Sequence, residues 1–290
     1  MSKLFSDSFW SGVRQWRATA VVYFFQLCLT VTLGMQVFGV LKASMGHSME
    51  INKLLADYDH TVISDFLKVH GASITPLIGQ LRWLLLAWLV FSVFINAGLL
   101  FCASSEPGSA KKPVRAFWQG GAEYFFPFLK ISLVFLLLAL VWTAMILVPI
   151  AIFLESSLEY FSSEQYTVWT VLSLVVIYLI GLAVLFLWSV ISRLLKINSG
   201  ASVTSSIQNG WKVWTKNKRG FSGLLTGFLG LQLALLAVYW QMDAFTGMTS
   251  PSMILILFVV QQTFVFCRIQ LRQMMYAGFN RLTSAKFPKH

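Results

Sequence analysis

Long uninterrupted apolar runs, with polar and charged residues crowded into the intervals between them, set the pattern of this chain. Six such runs stand out, at 18–41, 81–103, 125–154, 167–192, 221–240 and 251–271. A helix rises 1.5 Å per residue, so crossing a hydrocarbon core of about 30 Å takes roughly 20 apolar residues. Each run is of that order, and none alternates apolar with polar as a barrel strand would. The pattern predicts an all-α polytopic membrane protein with six transmembrane helices.

The polar intervals carry a pattern of their own. Phe9, Gly12 and Trp16 align with Phe117, Gly120 and Tyr124 and with Ile207, Gly210 and Trp214, each set close ahead of an apolar run. Each reads as an elbow, a surface helix turning into a span. The chain then forms a single transmembrane domain over 1–290, built of elbow-plus-hairpin repeats at 8–103, 114–198 and 203–285. The first repeat also holds an outer segment at 42–80. Trp10, Arg14, Trp16, Arg17, Trp118, Trp211, Lys212, Trp214, Lys216, Lys218 and Arg219 join aromatic rings to cations, the composition of a helix lying in the lipid interface. The second elbow is the weakest, because Gly120 and Gly121 are adjacent and Glu123 replaces a base.

Composition agrees with the pattern. Hydrophobic residues make up 57% and charged residues 11% of the chain, against about a quarter charged in soluble proteins. Alternate intervals gather 18 Lys and Arg with three acids on one side, and four with eight acids on the other. Lys and Arg are retained in the cytoplasm, which places both termini there, in a bacterial-type inner membrane. Topology thus accounts for the net charge of +11, and nucleic acid is not an expected partner. Membrane lipids are, through anionic headgroups on the cytoplasmic side, together with a membrane-protein partner. The first run is too long for a signal peptide and reads as a retained span. Cys28, Cys102 and Cys267 lie in or at the ends of runs without metal or disulfide spacing.

Within the runs, spacing predicts packing. Gly223, Gly227, Gly230, Ala234 and Ala237 fall on one helical face, so the fifth span is expected at the centre of the bundle. Gln26 with Asn96, and Gln232 with Gln262, lie at matching depths and serve as packing glue or as the lining of a polar path. Pro149 should kink or end the third span. In the outer segment, Val62, Ile63, Phe66 and Leu67 have helical spacing, with Asp59 as N-cap and Gly71 as stop. Asp57, Asp59 and His60 invite a metal reading, but the spacing matches no ligand template, and no metal is expected.

The chemistry of the runs is sparse. No ionisable residue lies near the middle of any of them, where proton relays and ion pathways place theirs. Phosphate-loop, HExxH and GxSxG motifs are missing too. No catalytic residue, cofactor or enzymatic activity is expected. A protein acting by lipid contact, or as a scaffold or accessory subunit, is the first reading. A permease or lipid transporter, with a path lined by Gln26, Asn96, Gln232 and Gln262, is the alternative. An enzyme on lipid headgroups would need converging carboxylates at one interface.

Ile207, Gly210, Trp211, Trp214 and the bases Lys216, Lys218 and Arg219, set ahead of a Gly- and Leu-rich run, carry a resemblance over roughly 202–237. This stretch resembles poorly characterised bacterial six-helix membrane proteins related to the membrane domain fused to glycerophosphodiester phosphodiesterases. The resemblance implies an accessory membrane module. It carries over no catalytic role, since the chain has no phosphodiesterase domain.

Overall fold

The computed structural model describes residues 2–45, 60–105, 113–160, 164–246 and 251–284. Apart from short joints these residues are helical. The helices are α1 (Ser2–Arg14), α2 (Trp16–Met45), α3 (His60–Ser104), α4 (Pro113–Tyr160), α5 (Glu164–Ser199), α6 (Val203–Lys216), α7 (Lys218–Thr246) and α8 (Pro251–Ser284). Six of them, α2 to α5 with α7 and α8, are long and apolar enough to cross a membrane. The chain is an all-α integral membrane protein.

Many hydroxyls inside these helices are satisfied by the helix itself. Ser132 donates to Phe128, Thr143 to Ala139 and Ser192 to Trp188, all at 2.7–2.8 Å. In hydrocarbon no water competes for these groups, so the preceding turn is the available acceptor. The same setting tolerates proline. Pro127 and Pro149 both lie inside α4, which continues to Tyr160, so Pro149 does not end the third span. What ends α5 is Gly200, whose φ of 62° is open to glycine and whose N–H reaches the Lys196 carbonyl at 3.2 Å. Lys196 Nζ closes the turn on the Ala201 carbonyl at 2.7 Å.

The chain divides into two compact units, Ala20–Ser92 and the remainder. In the first, the rings of Phe25 and Phe91 lie 4.7 Å apart. In the second, the fully buried side chains gather at the basic ends of the helices: Leu99 of α3, Phe117 and Phe128 of α4, Ile191 and Leu194 of α5, Phe221 of α7 and Phe279 of α8. Toward the other end, Leu140 and Val148 of α4, Val176 of α5, Leu236 of α7 and Leu255 of α8 are exposed. Those surfaces are as apolar as lipid tails, so a bilayer covers them without a protein partner.

Three expectations need correction. The small-residue face of α7 is not the centre of the bundle: Gly230, Ala234 and Ala237 are exposed, and nothing lies within 4 Å of a Cβ built on Gly230. Gly223 is half-buried, and a Cβ built on Gly227 would lie 3.3 Å from the Phe5 ring of α1. What α7 buries is Phe221, Leu224 and Phe228, and the Phe228 ring stacks on Phe5 at 4.7 Å. Aromatic rings offer more area per contact than a glycine stripe does. Secondly, α3 runs through Gly71 without stopping, while Asp57 and Asp59 lie outside the described residues. Thirdly, the second elbow is no separate helix, because α4 is continuous from Pro113.

Candidate functional site

The basic joints hold most of the polar residues that sequence reading singles out, and each joint is held from behind. Between α1 and α2 the helix breaks at Gln15, leaving backbone carbonyls without an intrahelical donor. Gln270 Nε2 of α8 donates to the Gly12 carbonyl at 2.6 Å, and Gln273 Nε2 donates to the Leu99 carbonyl at 3.1 Å and to Gln15 Oε1. Gln15 Nε2 in turn donates to the Cys102 carbonyl at 2.9 Å. Gly12 is buried here, and a Cβ on it would lie 2.8 Å from Met274 Cα. Only a residue without a side chain fits that approach.

The joint between α6 and α7 is built differently at Asn217, whose carbonyl accepts from Gly220 and Phe221 N–H at 3.1 and 3.2 Å. Ser202 opens α6 as its N-cap, accepting from Ser205 N–H at 3.3 Å. Trp188 Nε1 of α5 donates to the Ile207 carbonyl at 2.8 Å. Buried Gly210 faces Ser192 of α5, whose Cα would be 3.3 Å from a Cβ there. Gly120 is buried as well, with Phe101 Cδ1 of α3 at 2.8 Å from such a Cβ. Gly12, Gly120 and Gly210 thus sit against α8, α3 and α5 respectively. The breaks do not follow the same register: one comes at Gln15, one at Asn217 and none in α4.

The outward faces of these joints are aromatic and cationic. Trp10, Trp16 and Trp118 are more than half exposed, Trp211 is exposed, and so are Arg14, Arg17, Lys212, Lys216, Lys218 and Arg219. The Arg17 guanidinium lies 5.7 Å from the Trp16 ring centre and Lys218 Nζ 5.5 Å from that of Trp214. Cation and ring attract through the ring's quadrupole, so the charges are held at the level of the indoles. Trp214 departs from the interfacial expectation. It is half-buried, its indole N–H is enclosed without a hydrogen-bond partner, and its ring packs 4.9 Å from Trp211. Trp214 supports the neighbouring ring, because the turn at Asn217 carries it inward. Trp188, Gln208, Trp211 and Lys212 line a recess of about 510 Å³ on this face.

Asn96 Oδ1 accepts from the Tyr276 hydroxyl at 3.1 Å, Gln26 and Gln262 are half-buried, and Gln232 lines a groove among α5, α7 and α8. Asn280, absent from the sequence reading, donates to the Ala103 carbonyl at 3.1 Å and accepts from Asn198 at 3.0 Å. Gln15, Gln270 and Gln273 were likewise unmarked. Their one sequence signal is the pair of amides three residues apart at the basic end of the last span. Among the described residues no group of three or more His, Cys, Asp or Glu could hold a metal. Compared with family models, curated proteins and solved structures, the chain matches none.

Proposed function

We propose that this chain is a non-enzymatic inner-membrane protein that acts by contact with anionic lipid or as a scaffold or accessory subunit for other membrane proteins. The observation that carries the reading is the set of exposed Trp and Lys or Arg side chains on α1 and α6, at the end where the protein core is packed. Indoles settle at the headgroup level, and cations beside them attract phosphate. The charge bias puts this face in the cytoplasm. The Arg281–Asp7 ion pair at 3.0 Å supports a common side for both ends of the chain. Three buried glycines, each against the cytoplasmic end of a different span, support a threefold elbow-and-hairpin plan. The apolar core of Phe117, Phe128, Leu194 and Phe279 favours the scaffold over a permease path along the amides. The accessory role is also what the resemblance of 202–237 implies.

The test is the lipid that stays with the full-length protein. In nanodiscs of equal phosphatidylglycerol and phosphatidylcholine, the retained shell should be enriched in the anionic lipid. Changing Lys212, Lys216, Lys218 and Arg219 together to Gln should lower that enrichment by roughly fivefold or more, at about 1 kcal/mol for each cation near the surface. Equal lipid composition around the unmodified protein sinks the reading.

A further inference from the structure

Arg268 is a cation that the fold carries into the apolar part of the bundle. In the sequence it stands near the end of the last apolar run. The pairing of α7 with α8 shows how deep it lies. The rings of Phe221 and Phe279 are 5.8 Å apart close to the basic pair Lys218 and Arg219, and those of Tyr239 and Phe264 are 4.9 Å apart toward the other end. Arg268 comes four residues after Phe264 and eleven before Phe279, about 6 and 16 Å along the helix. Measured from the basic end, that is about half of a hydrocarbon core of roughly 30 Å.

The Arg268 side chain is exposed, and among the described residues no hydrogen bond or ion pair reaches it. Arg272 follows one turn later on the same face of α8 and lines a groove of about 350 Å³ with Ala183 and Phe186 of α5 and Leu225, Leu229 and Gln232 of α7. Phe186 and Leu229 are exposed, so the groove is open to the lipid side, and Arg268 extends its α8 wall outward. A guanidinium keeps its proton, so the charge stays where the helix puts it. A cation at such a depth is costly without an anion beside it, and an intramembrane charge of this kind marks a functional position.

The missing anion has to reach that depth. Lipid phosphates stay at the bilayer surface, about half the core thickness away. A second copy of this chain has no acid to offer, because all 11 Asp and Glu residues lie outside the six apolar runs. A carboxylate carried on a transmembrane helix of a different protein meets the requirement, and Arg pairs with carboxylates through two parallel hydrogen bonds.

We propose that Arg268 and the groove beside it dock a transmembrane helix of another membrane protein, one with an Asp or Glu at mid-span. Its carboxylate pairs with Arg268, and its apolar side chains rest against α5 and α7. The inference rests on the accessory-subunit reading and names the chemistry of the partner. It uses none of the exposed joint residues.

The test uses the full-length protein in phosphatidylcholine vesicles and a synthetic Leu/Ala transmembrane peptide with a single Glu or Gln at its centre, with association read by energy transfer between labels. The Glu-centred peptide should bind about tenfold more tightly than the Gln-centred one, as expected where a charged hydrogen-bonded pair replaces a neutral one. Arg268→Gln should abolish the difference, and Arg268→Lys should keep part of it. Ala183→Phe, which fills the groove without touching the charge, should weaken binding of both peptides and remains informative if Arg268→Gln does not fold. The Gln variant of Lys212, Lys216, Lys218 and Arg219 should keep the Glu preference while losing the anionic lipid shell, so this site and the lipid reading fail separately. Equal binding of the two peptides, or an undiminished preference in a folded Arg268→Gln protein, would overturn the assignment. So would ready reaction of Arg268→Cys with a membrane-impermeant maleimide in a chain with Cys28, Cys102 and Cys267 changed to Ser, since water would then supply what the partner is proposed to supply.

Discussion

The side-chain amide of Gln270 donates to the carbonyl of Gly12 at 2.6 Å, although 258 positions separate them. That carbonyl also accepts from Gln15 N–H at 2.9 Å, at the point where α1 stops and α2 begins. The turn therefore depends on a residue in the last helix. Gln270→Leu removes the donor while keeping the bulk. It is expected to cost about 1 kcal/mol, the usual net value of such a bond, read as a lowered midpoint of thermal unfolding in detergent. A midpoint unchanged from the parent would mean that α1 is held by other contacts.

Two glycines that look alike in sequence should respond with opposite sign. Gly12→Ala brings a methyl against the Met274 backbone, with Cα at 2.8 Å, and should destabilise by about 1–3 kcal/mol, as overpacked sites do. Gly230→Ala meets nothing within 4 Å and should stabilise by about 0.5–1 kcal/mol, because alanine loses less backbone freedom in a helix. Both are read from unfolding midpoints in one detergent. If Gly230→Ala were the damaging one, the buried-stripe picture of α7 would return.

Trp188 ties the third joint to α5 by its 2.8 Å bond to the Ile207 carbonyl, with its ring 5.0 Å from both Phe135 and Trp211. Trp188→Phe keeps an aromatic ring and loses the N–H. Amide hydrogen exchange in Val203–Lys216 should speed up by about fivefold, equivalent to the roughly 1 kcal/mol of one lost bond. Exchange at the parent rate would leave Trp188 with a packing role alone.

Topology is open to direct labelling. In a chain with Cys28, Cys102 and Cys267 changed to Ser, single cysteines at Arg14 and Lys212 should react with a membrane-impermeant maleimide from the cytoplasmic side. One at Trp169 should react from the opposite side. Reaction of Arg14→Cys and Lys212→Cys from different sides would end the model of joints sharing one face.

Hydropathy alone located the spans. The run read at 81–103 corresponds to Gly79–Ser104, and that at 221–240 to Lys218–Met242, because twenty adjacent residues either tolerate hydrocarbon or do not. Gly12, Gly120 and Gly210 stood out in the sequence as repeat anchors; that each lies against a neighbouring helix is a fact of the fold. Which face of each span meets protein was not legible. In α7 the aligned Gly230, Ala234 and Ala237 are exposed, while Phe221 and Phe228 are buried. Lipid tails and leucine are equally apolar, so hydrophobicity marks the membrane and not the interior of the bundle. Likewise, nothing near Gln15 in the chain names Gln273 as its partner, and nothing near Arg272 says that it lines a groove with Leu225 and Gln232. Those facts belong to the arrangement of helices, which sets polar groups from distant positions side by side where water cannot reach.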